Sequence, residues 1–210
     1  MLVEDHTLLA QSLAAALAMD GLEVVRPEHL DFEAVLATAE EHRPEVVLLD
    51  LVLEGGTTAL PLIPFLCELG ASVVVVTGET DRIRLAECVE AGAIGIVGKH
   101  EPFENLIAAV HEVTQLRSLL TAAQRADLLQ ELRGHRAEDL ERLEPFERLT
   151  PREREILRAL VDGRSAEIIA KADFVAVATV RSQIRSVLSK LGVNSQLAAV
   201  ALASKGRWPL

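Results

Sequence analysis

Within residues 1–113, short apolar runs alternate with stretches of helical length, and that alternation leaves few folds open. The runs fall at 1–3, 22–25, 45–49, 72–77 and 93–97, and the helical stretches near 6–19, 31–42, 58–69, 81–91 and 102–113. Strands joined by helices of this length pair in parallel, with helices laid over both faces of the sheet. The runs are continuously apolar, as strands covered on both faces are. In such an open sheet the ligand site lies beyond the carboxyl ends of the strands, where the strand order switches.

The residues at those ends are Glu4 and Asp5 after the first run, Asp50 after the third, Thr77 at the end of the fourth and Lys99 after the fifth. Crowded carboxylates repel one another and raise their own pKa values unless a cation intervenes. Hard oxygen ligands with open positions suit Mg²⁺. A lysine and a hydroxyl beside them are the groups that hold phosphoryl oxygens. Any one strand-end carboxylate is more simply read as a helix cap or a solvated charge; five such residues in strand order point to a site.

The last third of the chain follows another grammar. Thr150 and Glu153 have the spacing of a capping box, Pro151 fits the first turn, and Gly163 ends that helix. Ser165 is placed to cap a second helix, with Ile168, Ile169 and Ala170 expected to face inward. A third helix is expected over 179–191 and a fourth from Asn194 or Ser195, containing Leu197, Val200 and Leu202. In the third, Val180, Ile184, Val187, Leu188 and Leu191 form an apolar stripe. Ser182, Arg185, Ser186 and Ser189 are expected opposite it, with Arg181, Gln183 and Lys190 on the flanks. This segment carries no acid, so phosphate does not repel it, and its outward groups suit a major groove.

Charge supports that division. The chain has 21 Lys+Arg against 32 Asp+Glu and a net charge of −11, which taken whole argues against a polyanionic partner. From Pro151 onward, however, 10 cationic residues face 5 acidic ones, leaving 11 against 27 before it. An acidic part is joined to a basic part. Apolar content of 50% and charged content of 25% are those of a globular protein. Cys67 and Cys88 both sit in apolar helical patterns without metal-ligand spacing, as reduced thiols in the cytoplasm do. The sequence shows neither a membrane-spanning run nor an export signal. Between the two parts, residues 114–147 carry Leu116, Leu119, Leu120, Leu128, Leu129, Leu132, Leu140 and Leu143 among many charges. A helical linker with a break at Gly134 is the reading favoured over a coiled coil or a plain tether.

The segments Val3-Glu4-Asp5-His6, Leu48-Leu49-Asp50-Leu51, Val76-Thr77-Gly78 and Gly98-Lys99 resemble the receiver domain of two-component response regulators. Leu149-Thr150-Pro151-Arg152-Glu153-Arg154-Glu155 through Lys190-Leu191-Gly192-Val193 resembles the LuxR-type helix-turn-helix. Their order and spacing are similar to those of the NarL/FixJ group. The resemblance implies a flavodoxin-like α/β receiver with a five-stranded parallel sheet of order 2-1-3-4-5, followed by an all-α four-helix DNA-binding domain. The boundaries it implies are 1–113 for the receiver, 114–147 for the linker and 148–205 for the helix-turn-helix. Asp50 would then be the phosphoacceptor, served by a partner sensor histidine kinase. Mg²⁺ would be held by Asp5 and Asp50, by Glu4 through water, and by the Val52 carbonyl. Lys99 and Thr77 would engage the phosphoryl group. Thr179, Arg181, Ser182, Gln183, Arg185, Ser186 and Lys190 would face promoter DNA, read by a homodimer. On this reading the protein is a regulator in the cytoplasm, away from membranes, and its only catalysis is of its own phosphoryl transfer and dephosphorylation.

The sequence departs from that pattern in four places. Ile96 stands where the family usually carries an aromatic, Leu53-Glu54-Gly55-Gly56 lacks the usual loop proline, and Ala176 replaces a capping serine. The chain also starts inside the first strand, so the natural start is expected several residues upstream. The first two departures keep open a DNA-binding regulator that ignores phosphorylation. An aspartyl-phosphate phosphatase, a more distant alternative, would turn over small phosphate esters; a receiver takes up one phosphoryl group. A protein-interaction module whose helix-turn-helix no longer touches DNA is the remaining alternative.

Overall fold

The computed structural model describes residues 1–115 and 118–205, so the expectation for Leu116 lies outside the described residues. The chain separates into two compact units, Met1–Arg133 and Gly134–Leu210.

In the first unit, β1 (Leu2–Val3), β2 (Val46–Asp50), β5 (Ser72–Thr77) and β6 (Gly95–Gly98) form a parallel sheet in the order β1-β2-β5-β6. Successive residues serve opposite faces. Val47, Leu49, Val73 and Val75 join one core with Val35, Ala39, Ile63 and Leu66. Val46, Leu48, Val74 and Val76 join the other with Leu13, Leu17, Leu106 and Val110. Those cores are closed by α1 (Thr7–Met19), α2 (Phe32–His42), α3 (Leu62–Glu68), α4 (Arg82–Ala91) and α5 (Phe103–Thr114). Asp31 caps α2 through the Ala34 N–H, and Asp81 caps α4 through the Ile83 N–H.

The expected five-stranded sheet needs correction, because the run at 22–25 does not become a strand. It lies beside β1, where its Val25 carbonyl accepts the Leu2 N–H at 2.9 Å. Only two residues of β1 stand next to it and Pro27 follows, so no ladder propagates. The loop after Asp50 contains instead a small antiparallel hairpin, β3 (Val52–Leu53) with β4 (Thr57–Thr58), closed by a 3₁₀ turn at Glu54–Gly56. Gly55 and Gly56 both have positive φ, 74° and 76°, which accounts for the glycine pair where a proline is usual. The hairpin shortens the expected helix 58–69 to α3.

Residues 118–121 lead into α6 (Ala122–Glu147), whose start is capped reciprocally by Thr121 and Gln124. This helix runs unbroken through Gly134, contrary to the expected break. The expected 114–147 linker is divided: its part up to Arg133 is compact with the first unit. Leu128 and Leu132 are buried there against Ala86 and Val89 of α4, whereas Leu140 is 67% exposed.

The second unit contains α7 (Pro151–Val161), α8 (Ala166–Ala172), α9 (Val177–Lys190) and α10 (Gln196–Lys205). Thr150 and Glu153 form the expected capping box, Gly163 follows α7 at φ 77°, and Ser165 caps α8. Ile156, Leu157, Ile169, Val180, Ile184 and Val187 build the core. Ile168, expected inward, is 55% exposed, because the short α8 buries only the face carrying Ala166, Ile169 and Ala170. At the start of α9, Ala176 occupies the capping position without a side-chain cap. Ala176→Ser is therefore expected to stabilise this unit by about 1 kcal/mol in urea unfolding monitored by circular dichroism.

Candidate functional site

The parallel register brings the strand-end residues together. Val3 pairs with Leu49, Asp50 with Val76, and Thr77 with Gly98, so Glu4, Asp50, Thr77 and Lys99 emerge at one edge. Glu4, Asp50 and Thr77 are buried. The Lys99 ammonium lies 2.6 Å from Asp50 Oδ2 and 2.7 Å from Glu4 Oε2. Its backbone N–H donates to the Thr77 carbonyl at 2.9 Å, which ties the lysine-bearing turn to β5. Asp50 Oδ1 accepts the Val52 N–H at 3.2 Å. The Thr77 hydroxyl oxygen accepts the Glu79 N–H at 3.0 Å.

The two buried carboxyls respond differently. Burial pushes the Asp50 carboxyl above its ordinary value, and the bonds from Lys99 and Val52 offset this only in part. Burial also pushes Glu4 up, but hydrogen bonds from Lys99 and His6 outweigh it and hold Glu4 below the ordinary value. His6 Nδ1 sits 2.8 Å from both Glu4 Oε1 and Asp5 Oδ1. In the fold the His6 ring stands between these two acids.

Glu4, Asp5, His6 and Asp50 each offer one ligand atom, and these atoms all lie within 4.8 Å of one another. Asp5 Oδ1 is buried, and apart from the nearby His6 ring nitrogen it has no partner among the described residues. Oxygens that are crowded, anionic and incompletely satisfied are the donor set a small hard divalent cation prefers.

The second unit presents α9 differently from expectation. Thr179, Arg181, Ser182 and Arg185 are exposed, and Gln183 is half-buried with its Oε1 buried and unbonded among the described residues. Arg181 pairs with Glu167 at 2.8 Å. Arg185 has no ion pair or hydrogen bond among the described residues. Ser186, expected on the outward face, and Lys190, expected on its flank, are turned inward to Glu153: the Ser186 hydroxyl donates to Oε1 at 2.7 Å and Lys190 Nζ to Oε2 at 2.6 Å. A buried capping carboxylate needs such partners. The signal was present in the sequence, since positions four apart on α9 share one face, but only packing shows that α7 lies against that face.

Burial alone would raise the Glu153 carboxyl; Lys190, Ser186 and Thr150 outweigh it and hold it at about 2. The folded value lies below the ordinary one, so this contribution to stability is complete above about pH 4.5 and drains away as pH falls toward 2. Thermal melts of the full chain followed by helical circular dichroism are expected to show the second unit weakening across that window. In Glu153→Gln the decline should be shallower, starting from lower stability at neutral pH.

The family described as "Response regulator receiver domain" matches residues 1–111, and "Bacterial regulatory proteins, luxR family" matches 147–203. The chain belongs to the two-component response regulators with a LuxR-type output domain. It is 30% identical over 207 residues to the transcriptional regulatory protein LiaR of Bacillus subtilis, covering 98% of this chain and 96% of that one. It is 31% identical over 206 residues to the "DNA-binding transcriptional activator DevR/DosR" of Mycobacterium tuberculosis, covering 97% and 93%. Among solved structures, RcsB of Salmonella typhimurium shares the fold with a TM-score of 0.52 at 22% identity, covering 97% of each chain. The RcsB–DNA complex does so with a TM-score of 0.51 at 23% identity, covering 97% and 96%. As a family these response regulators are transcriptional regulators. Among the described residues no helix is long and apolar enough to cross a membrane.

Proposed function

We propose that this response regulator is phosphorylated on Asp50 by a partner sensor histidine kinase in the cytoplasm and then binds promoter DNA as a homodimer. Residues 1–113 serve as the receiver, 114–147 as the link and 148–205 as the DNA-binding domain. The observation that carries the reading is the buried Asp50 carboxylate with the Lys99 ammonium 2.6 Å away. An Asp50 oxygen attacks the phosphoryl phosphorus, the P–N bond to the kinase histidine breaks, and an acyl phosphate forms. Lys99 passes from the carboxylates to the phosphoryl oxygens, and the Thr77 hydroxyl, no longer bound by Glu79, turns toward them. Glu4, Asp5, Asp50 and the Val52 carbonyl would hold Mg²⁺, which offsets charge on the transferring group when bound.

In the second unit, Arg181 and Arg185 take phosphates, while Ser182 and Gln183 face base edges and Thr179 contacts the backbone. Ser186 and Lys190 position α9 through Glu153. The DevR/DosR relative, described as DNA-binding, supports this assignment. The test incubates the full chain with acetyl phosphate and magnesium. One acyl phosphate per chain is expected, together with enrichment of specific genomic fragments on the phosphorylated protein. Steady hydrolysis of small phosphate esters, or fragments indistinguishable from random, would overturn the reading.

A further inference from the structure

The approach to α9 departs from local preference at two neighbouring positions. Ala176 stands at the capping position, where its side chain can accept no N–H. Phe174 holds φ 55°, in the left-handed region that bulky side chains seldom enter. It is also 96% exposed, so no core contact holds it there. Asparagine at 174 and serine at 176 would each be the more stable local choice. Departures of this kind gather where a site demands them. Val175 and Ala178 are exposed as well, so residues 174–178 bring an almost unbroken apolar edge to solvent.

That edge is continuous with the arginine-bearing face of α9. Ala178 precedes Arg181, Ser182 and Arg185 by three, four and seven positions, which places them on one side of the helix. Each of them is exposed. Ala178 therefore leads that side, and Phe174–Ala176 run directly into it. No side chain from Phe174 to Ala178 can hydrogen-bond, and no acid follows Asp173 in the chain. Asp173 itself pairs with Arg152. The edge thus neither repels phosphate nor competes for the hydrogen bonds of bases. Recognition helices meet base edges through their first residues. The apolar group a major groove offers there is the C5-methyl of thymine, against which alanine and phenylalanine pack.

We propose that Phe174, Ala176 and Ala178 form an apolar tip that selects thymine by its methyl group at defined positions of the operator. This rests on α9 entering the major groove. Arginine contacts to phosphate cannot tell thymine from uracil, and neither can hydrogen bonds from Ser182 or Gln183, because the two bases carry the same donors and acceptors. The tip can. Each methyl removed from water against it favours binding about fourfold. A serine at 176 would cap the helix and set a hydroxyl against that methyl. The absent cap and the strained Phe174 are then two sides of one trade, local stability against an apolar reading head.

The test uses fluorescein-labelled duplexes copied from the genomic fragment most enriched on the phosphorylated full chain. Deoxyuridine replaces thymidine at each position in turn and at all positions together, removing methyls and nothing else. Anisotropy titrations should show about fourfold weaker binding at particular thymidines in each half-site and little change elsewhere. Ala176→Ser and Ala178→Ser should bind the thymine and uracil duplexes alike, although the first also stabilises the unit. Phe174→Asn should raise the urea midpoint while shrinking the thymine preference. Arg185→Ala should weaken both duplexes equally and keep that preference. Equal binding of the two duplexes by the unaltered chain would overturn the tip and leave DNA binding intact. A thymine preference that survives all three tip substitutions would place the methyl contact elsewhere, and so overturn the tip too. Absence of any selectively enriched fragment would overturn both the tip and the DNA-binding reading.

Discussion

Asp50→Asn is expected to reduce acyl phosphate formation from acetyl phosphate by roughly two orders of magnitude, to background, because an amide oxygen is a poor nucleophile toward phosphorus. Asparagine is close to isosteric, so its carbonyl still accepts the Val52 N–H that Asp50 Oδ1 accepts at 3.2 Å. The Asp50 carboxyl is already pushed up by burial, and removing a buried charge relieves desolvation while sacrificing the Lys99 ion pair. These opposing terms leave folding stability within about 1 kcal/mol of the original. Urea unfolding therefore separates lost chemistry from lost fold. Hydroxylamine-sensitive label persisting in a well-folded Asp50→Asn protein would place the acceptor elsewhere. Lys99→Ala should instead reduce the rate while leaving the acceptor in place, at a cost in stability, since Glu4 and Asp50 would face each other without their shared cation.

The second large effect concerns DNA. Arg185→Ala is expected to weaken binding roughly tenfold and to reduce the slope of log affinity against log salt by about 1, as loss of one phosphate contact does. Arg181→Ala should act in the same direction, because its exposed pair with Glu167 is an inexpensive alternative to phosphate. Lys190→Ala should behave differently. It leaves the buried Glu153 carboxylate short of a partner, so the second unit loses about 1–3 kcal/mol of stability. Its salt slope should stay unchanged at temperatures where the unit remains folded. Fluorescence anisotropy titrations at several salt concentrations separate the two behaviours; equal slope changes for Arg185 and Lys190 would refute the inward placement of Lys190.

Much of this molecule was legible from local pattern. Capping boxes, glycines after helices and apolar periodicity are written within a few residues of one another, so α4, α5, α7 and β5 fall almost where their residues predict. The strand-end acids were legible because a parallel sheet carries its residues at regular intervals to one edge. Less legible was whatever depends on how many partners a segment finds. The run at 22–25 has strand-like residues but too little of β1 beside it. Gly134 disfavours helix locally, yet both flanking stretches continue it. Ser186 looks like an outward hydroxyl until α7 supplies a buried carboxylate beside it.

What the sequence determined by itself was the parallel α/β unit, the helical second unit, and the identity and order of Glu4, Asp5, Asp50, Thr77 and Lys99, because periodicity and capping act over a turn or a strand. What only the tertiary structure decided was who pairs with whom across the chain. Lys99 bridges two acids, Glu153 draws in Ser186 and Lys190, and residues 118–133 of the expected linker lie on α4 and β6. Those pairings join residues tens of positions apart, and burial sets their strength, so no local pattern encodes them.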